Sequence, residues 1–268
     1  MPIATINGIH LSFDEYGTGE PVVMIAGTGA RGRIWRPHQV PALTAAGFKV
    51  ITMDSRGVPP SDLCDQGFTL DDLVADVAAL VEHLGAGPCR IVGYSMGAIV
   101  VQELLLARPD LISQAVLMAT RGRTDALGSA MSAAELEILT SGTKIPARYE
   151  AAVRVMTGFS PRTLRDERTV RDWLDIFELA PMSASVSRWQ LEIDLLPDRL
   201  ASYRNIRNKV LVLAFGDDLM AQPHLGREVA DHIPGSTYRE IPGCGHHGFV
   251  EDPEPVNTAI IEFFRTIG

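Results

Sequence analysis

Residues 89–107 read CRIVGYSMGAIVVQELLLA, and this stretch decides the fold. It opens on a short apolar run typical of a buried strand and closes on an apolar run typical of a helix that ends before Pro109. Between the two lies a Gly-x-Ser-x-Gly pattern at 93–97. By itself the pattern fits an ordinary turn rich in glycine and serine. Between a strand and a helix it predicts a sharp, strained turn at Ser95, whose hydroxyl stands at the helix N-terminus.

The alternation of apolar strands and helices continues outward from this stretch. Strands separated by helices of about ten to fifteen residues predict an α/β fold with a mostly parallel, doubly wound sheet. The predicted strands are 9–16, 22–26, 48–53, 89–92, 115–119, 209–215 and 238–241, and the predicted helices in this part of the chain are 40–46, 70–84, 98–107 and 256–267.

The segment 121–204 departs from this alternation. It has no strand-like run and is typical of helices with breaks, at 132–139, 146–156, 167–179 and 183–196. We therefore predict a core made of 1–120 and 205–268, with 121–204 inserted as a helical lid over one edge of the sheet. Most of the large apolar side chains of the segment are expected to form its own small core, and a few to line an apolar pocket for an apolar substrate. They are Met131, Met156, Phe159, Trp173, Phe177, Met182 and Trp189.

Composition narrows the classes of function. The chain has 268 residues, of which 46% are hydrophobic, and this suits one large domain with ample core. The net charge is −9 without a basic run, so the sequence predicts no nucleic-acid partner. No apolar run approaches the roughly 18 residues that a membrane helix needs, and the N-terminus lacks the pattern of a signal peptide.

The cysteines bear on the compartment and on metal binding. Cys64, Cys89 and Cys244 are widely spaced and odd in number, which fits neither a zinc site nor a disulfide framework. A reducing cytoplasm is therefore the expected location. No metal, nucleotide or flavin motif is visible, so we predict no cofactor, and the oligomeric state is left open.

Acidic residues and histidines follow two of the later predicted strands. A serine hydroxyl needs a base, an orienting acid and oxyanion donors before it can act as a nucleophile. Asp217 and Asp218 follow the strand that ends at 215, and His246 and His247 follow the strand that ends at 241. Because the carboxyl ends of parallel strands share one edge, these loops are expected to meet Ser95 there.

These pieces together resemble the α/β-hydrolase superfamily over essentially the whole chain. The resemblance is to its group with a helical lid, which contains esterases, carbon–carbon bond hydrolases and cofactor-free haloperoxidase-like perhydrolases. Each piece is short, but their order and their places at strand ends make the set specific. The matching pieces are Ala26-Gly27-Thr28-Gly29, Asp54-Ser55-Arg56-Gly57, Gly93-Tyr94-Ser95-Met96-Gly97, Asp218 and Gly245-His246.

The resemblance implies a role for each matching residue. Ser95 would be the nucleophile, His246 the general base and later the acid, and Asp218 the group that orients the imidazole. The oxyanion would be bound by the backbone N–H groups of Thr28 and Met96, which place no demand on side-chain type.

Two neighbours remain alternatives to these assignments. In the family the histidine directly follows a glycine, as His246 does, and this favours His246 over His247. The family aspartate is followed after a few residues by proline, so Pro223 favours Asp218 over Asp217. The disfavoured residues would be site-lining, loop-capping or simply exposed.

The chain departs from the family pattern in two loops. Ala26 stands where many relatives carry a loop-supporting histidine, and 56–61 reads Arg-Gly-Val-Pro-Pro-Ser in place of Arg-Gly-x-Gly-x-Ser. The resemblance implies a serine hydrolase acting through an acyl-enzyme on an ester, thioester or related substrate. The departures leave room for a non-hydrolytic, cofactor-free enzyme of natural-product tailoring (an epimerase, cyclase, lyase or perhydrolase). A small-molecule binding protein is the third possibility.

Overall fold

The computed structural model describes residues 2–180 and 188–266. Met182 and the start of the predicted helix 183–196 lie outside the described residues. The strands of the described chain are β1 (Ile3–Ile6), β2 (Ile9–Tyr16), β3 (Glu20–Ile25), β4 (Phe48–Asp54), β5 (Cys89–Tyr94), β6 (Ile112–Met118), β7 (Lys209–Phe215) and β8 (Thr237–Ile241).

The strands form one eight-stranded sheet in the order β1-β2-β4-β3-β5-β6-β7-β8. β1 and β2 pair antiparallel, and β2 joins the sheet antiparallel to β4. From β4 onward every pair is parallel, so the carboxyl ends of β3 to β8 lie along one edge. The predicted mostly parallel α/β sheet is therefore confirmed.

Eleven α-helices accompany the sheet in the described residues. They cover both of its faces: along β3, Val23 and Ile25 face one core and Val22 and Met24 face the other. None of the eleven is both long and apolar enough to cross a bilayer. They are α1 (Gln39–Ala45), α2 (Leu70–His83), α3 (Met96–Ala107), α4 (Ala126–Ser141), α5 (Ala147–Gly158), α6 (Glu167–Leu179), α7 (Arg188–Asp194), α8 (Leu200–Tyr203), α9 (Pro223–His232), α10 (Gly248–Glu251) and α11 (Pro253–Phe264).

Helix α9 has no counterpart among the predicted elements. Leu225 and Val229, one turn apart, are buried against the sheet, and the helix packs on β7. Gly226 lies between them and lowers the helix propensity of a short segment. Helix α11 begins at Pro253, earlier than predicted, because proline is tolerated in the first turn of a helix.

The segment between β6 and β7 contains helices α4 to α8, and we call residues 121–204 the helical insertion. Phe159 and Phe177 pack with Trp173 in a small cluster of the insertion's own. Met131 and Met156 are instead exposed, at 39% and 56%. The insertion therefore has a core, but part of its apolar content faces outward.

Candidate active site

Ser95 lies on the sharp turn between β5 and α3. Its backbone has φ 55° and ψ −122°, a left-handed conformation that costs free energy in any residue with a side chain. A Cβ on Gly93 would lie 2.6 Å from Ala98 Cα, and one on Gly97 would lie 2.5 Å from the carbonyl oxygen of Ile25. Gly93 is required because the first turn of α3 lies directly against β5, and Gly97 is required because the end of β3 lies directly against α3.

His246 lies within hydrogen-bonding distance of both Asp218 and Ser95. His246 Nδ1 is 2.8 Å from Asp218 Oδ2, and His246 Nε2 is 3.1 Å from Ser95 Oγ. Because a carboxylate only accepts hydrogen bonds, Nδ1 carries the proton and Nε2 is left to accept from the serine hydroxyl. Such a chain can take up the serine proton and stabilise the imidazolium that results.

The structure brings Asp218, and not Asp217, to the imidazole. Asp218 is 2% exposed, and its Oδ1 accepts from the backbone N–H of Met220 at 2.8 Å and of Ala221 at 2.9 Å. Asp217 is exposed and its backbone N–H donates to the carbonyl of Cys244. Both oxygens of Asp218 are thus fixed, and its carboxylate is held toward His246.

His247 takes a different position from its neighbour. Its Nδ1 lies 2.9 Å from the Tyr94 hydroxyl, and its ring packs against Phe159 and Phe177 of the helical insertion. Burial is the main reason why the pKa of His247 falls to about 3, and the neighbouring His246 and Arg154 contribute to lowering it. His247 is therefore a neutral imidazole between the insertion and the strand that leads to Ser95.

The 27–29 loop after β3 lies directly beside Ser95. A Cβ on Gly27 would be 3.1 Å from Ser95 Cβ. The Thr28 N–H has no protein acceptor among residues 2–180 and 188–266. Met96 is the first residue of α3, where backbone N–H groups have no partner within the helix. Both predicted donors therefore flank the serine, and their role as an oxyanion site stays a prediction.

Sequence reasoning missed two side chains that contact the 27–29 loop. Gln190 Oε1 accepts from the N–H of Gly29 at 2.8 Å, although Gln190 comes 161 residues later in the chain. Asp194 Oδ2 accepts from the Thr28 hydroxyl at 2.8 Å. Both lie on α7 of the helical insertion, and no local pattern in the sequence marks them.

Glu251 fixes the loop that carries His246. Its Oε1 accepts from the N–H of Gly245 at 2.8 Å, next to the histidine. Its Oε2 accepts from the hydroxyls of Ser160 at 2.5 Å and Thr163 at 2.6 Å, both in the helical insertion. The carboxylate therefore joins the insertion to the histidine loop.

The 54–57 loop, which begins at the last residue of β4, is held in place by a buried ion pair. Arg56 Nε donates to Asp76 Oδ2 at 2.6 Å, and both side chains are almost fully buried. Among the residues that the structure describes, no cluster of three or more His, Cys, Asp or Glu side chains is arranged to hold a metal ion.

Known proteins are similar to this chain over nearly its whole length. A family model described as "Alpha/beta hydrolase family" matches residues 22–259. The chain is 48% identical over 260 residues to the Mycobacterium tuberculosis H37Rv protein named "Putative non-heme bromoperoxidase BpoC", covering 97% of this chain and 99% of that one. The crystal structure of that protein matches with a TM-score of 0.90 and 47% identity over 96% of each chain.

A solved esterase is a more distant relative. The malate-bound thermophilic esterase from Thermogutta terrifontis is 27% identical to this chain and has a TM-score of 0.85. The match covers 99% of this chain and 98% of the esterase, so the helical insertion is included.

Proposed function

This chain belongs to the alpha/beta hydrolase family, and we propose that it is a serine hydrolase that works through an acyl-enzyme on an ester, thioester or related acyl substrate. The observation that carries the proposal is the hydrogen-bonded chain Ser95–His246–Asp218, with distances of 3.1 and 2.8 Å. The similarity to a solved esterase supports the same reaction class.

The reaction follows from the roles that these atoms can take. His246 Nε2 accepts the hydroxyl proton as Ser95 Oγ attacks the acyl carbon, and Asp218 stabilises the imidazolium. The carbonyl oxygen becomes negative and is bound by the N–H groups of Thr28 and Met96. His246 then protonates the leaving group, which leaves an ester of Ser95. A water molecule, deprotonated by His246, attacks this ester, and His246 then returns the proton to Ser95 Oγ as the acid is released.

The helical insertion is proposed to act as a lid, with the core formed by 1–120 and 205–268. Two contacts support this: α7 is hydrogen-bonded to the 27–29 loop, and Phe159 packs on His247 beside the triad. The apolar residues of the insertion support a substrate with an apolar part, which water-excluding pockets favour.

A second candidate is perhydrolysis by the same serine. Its support is the 48% identity to a protein named as a non-heme bromoperoxidase. Here hydrogen peroxide takes the place of water: its oxygen attacks the Ser95 ester, a proton passes through His246, and a peracid leaves. The peracid then oxidises bromide to hypobromite and is itself reduced to the acid.

The test of the first proposal is a panel of p-nitrophenyl esters of increasing acyl length, measured on the wild type and on Ser95→Ala. We expect wild-type hydrolysis that falls by roughly 10³- to 10⁶-fold in the variant, because the nucleophile is lost. A fluorophosphonate should add to Ser95, as peptide mass spectrometry would show. Turnover that survives in Ser95→Ala would eliminate the acyl-enzyme mechanism.

Hydrogen peroxide added to the same assay separates the two candidates. A perhydrolase forms peracid from the ester and brominates monochlorodimedone when bromide is present, and both signals vanish in Ser95→Ala. A dedicated hydrolase releases only the carboxylic acid at every peroxide concentration.

A further inference from the structure

One side chain of the helical insertion joins two loops of the core beside Ser95. Gln190 Oε1 accepts from the N–H of Gly29 at 2.8 Å, and Gln190 Nε2 donates to the carbonyl of Arg56 at 3.0 Å. The side chain is fully buried. Because the amide satisfies a donor in one loop and an acceptor in the other, it ties the 27–29 loop to the 54–57 loop, which the Arg56–Asp76 ion pair holds rigid.

A second side chain of α7 fixes Thr28. Asp194 Oδ2 accepts from the Thr28 hydroxyl at 2.8 Å, and its Oδ1 accepts from Arg121 Nη2 at 2.9 Å. The Asp194 and Arg121 side chains are only 14% and 10% exposed. The carboxylate is therefore held in place, because turning away would leave a buried guanidinium without its counter-charge.

The 27–29 loop has little of its own to hold it. Gly27 and Gly29 have no side chains, and Gly29 adopts a left-handed φ of 64° that glycine tolerates best. The preceding residue is Ala26, whose methyl group cannot hydrogen-bond. Within the loop's own turn, the N–H of Ala30 donates to Gly27 O at 3.1 Å. The side-chain anchors described for this loop both come from α7.

We propose that Gln190 and Asp194 are positioning residues that hold the Thr28 N–H in the place where it binds the oxyanion. The inference rests on the proposed function, because that N–H matters only if a negative oxygen forms at Ser95. The helical insertion thereby supplies part of the support for the reaction centre in addition to covering it. A donor displaced by a fraction of an ångström stabilises the transition state less, while the ground-state substrate is bound as before.

The test uses the intact chain and the best p-nitrophenyl ester of the panel. Gln190→Met keeps the size of the side chain and removes both hydrogen bonds. We expect kcat to fall about 10- to 100-fold with KM within about threefold of wild type. For Asp194→Asn, which removes the charge between Thr28 and Arg121, we expect a fall of about tenfold. Glu192→Gln is the matched control, because Glu192 lies on the same helix in an exposed ion pair with Arg188, and it should leave kcat unchanged.

The inhibition constant of a tetrahedral inhibitor distinguishes the proposed role of Gln190 and Asp194 from a merely structural one, which would leave it unchanged. Butylboronic acid adds to Ser95 Oγ as the hydroxyl proton moves to His246, and one of its oxygens then occupies the place of the oxyanion. We expect its inhibition constant to rise in each variant by the same factor by which kcat/KM falls. A variant that is only less stable keeps the wild-type inhibition constant per folded molecule.

Thr28→Val provides a second test, because it deletes only the hydroxyl bonded to Asp194 and keeps the backbone N–H. This variant should lower kcat and weaken boronate binding by the same factor, about 3- to 10-fold. The inference is overturned if Thr28→Val and whichever α7 variants fold retain kcat and boronate inhibition within twofold of wild type. Absence of any Ser95-dependent turnover or boronate binding in the wild type is a different result: it defeats the proposed function, and this inference with it.

Discussion

The two walls of the site beside Ser95 are held in different ways. One wall carries the proposed nucleophile, and we call β5 and α3 the nucleophile wall. Their backbone fixes Ser95, and Gly93 and Gly97 permit close backbone contacts that any side chain would prevent. On the opposite side, the 27–29 loop is fastened by the side chains of Gln190 and Asp194, which lie in a distant part of the chain. The first wall is built from residues that are close together in the sequence, whereas the second depends on contacts between segments that only folding brings together.

We expect the largest loss of activity from a substitution at Asp218, in the loop after β7, where the loops after β7 and β8 meet the nucleophile wall. Asp218→Asn should lower kcat by roughly 10³- to 10⁴-fold, because the amide stabilises the wrong tautomer of His246 and leaves the imidazolium without a counter-charge. Asp217→Asn is the matched control, since Asp217 is exposed, and it should stay within twofold of wild type. Ester hydrolysis at pH 8 measures both, and equal losses in the two variants would contradict the assignment of Asp218.

Gly97→Ala tests whether backbone packing holds the nucleophile wall. The new Cβ would lie 2.5 Å from Ile25 O and 2.6 Å from Ala26 O, both backbone atoms that cannot yield without moving β3. We expect the free energy of unfolding to fall by about 3 kcal/mol, at the upper end of overpacking costs. Urea unfolding followed by circular dichroism measures the change.

Gly226→Ala is the control for that substitution. Gly226 is also helical, but a Cβ there would meet Val212 Cγ1 at 3.5 Å, an ordinary contact. The alanine should therefore stabilise α9 by up to about 1 kcal/mol. A Gly97→Ala protein as stable as this control would show that the turn tolerates a side chain.

The same contrast explains how much the sequence alone could predict. The strand-turn-helix at 89–107 and the acidic and histidine loops after β7 and β8 are local patterns, and the predicted Ser95, Asp218 and His246 are the residues that the structure brings together. Gly226 interrupted the helical pattern of α9, so that helix was not predicted. The choice between neighbours at 217–218 and 246–247 needed the family resemblance, because the residue types are identical.

The contacts of the helical insertion were beyond the reach of sequence patterns. Gln190 and Asp194 look like ordinary polar residues of a short helix, and only the tertiary fold brings them to the 27–29 loop. Glu251 likewise belongs to no recognisable sequence pattern, although it accepts hydrogen bonds from both the histidine loop and the insertion. Such contacts depend on the relative placement of distant segments, which periodicity and local propensity do not specify.

A smaller effect than that of Gly97→Ala is expected from His247, where the helical insertion packs on the nucleophile wall. Its pKa is about 3 in the folded chain and near 6.5 when unfolded, so the unfolded chain binds more protons between these values. Stability is therefore lost as the pH falls from about 6.5 toward 3. By pH 5 the loss from this one group amounts to about 1–2 kcal/mol relative to pH 8.

His247→Phe keeps an aromatic ring in that position and removes the titrating group. Urea unfolding of both proteins at pH 8 and pH 5 isolates the contribution of His247, because every other titrating group is common to the two. The wild type should lose about 1–2 kcal/mol more than the variant between the two pH values. The pH-independent cost of losing the contact with the Tyr94 hydroxyl cancels in this difference. Equal losses of unfolding free energy in the two proteins would mean that water reaches the His247 ring. The insertion would then pack less tightly on the nucleophile wall than the described contacts indicate.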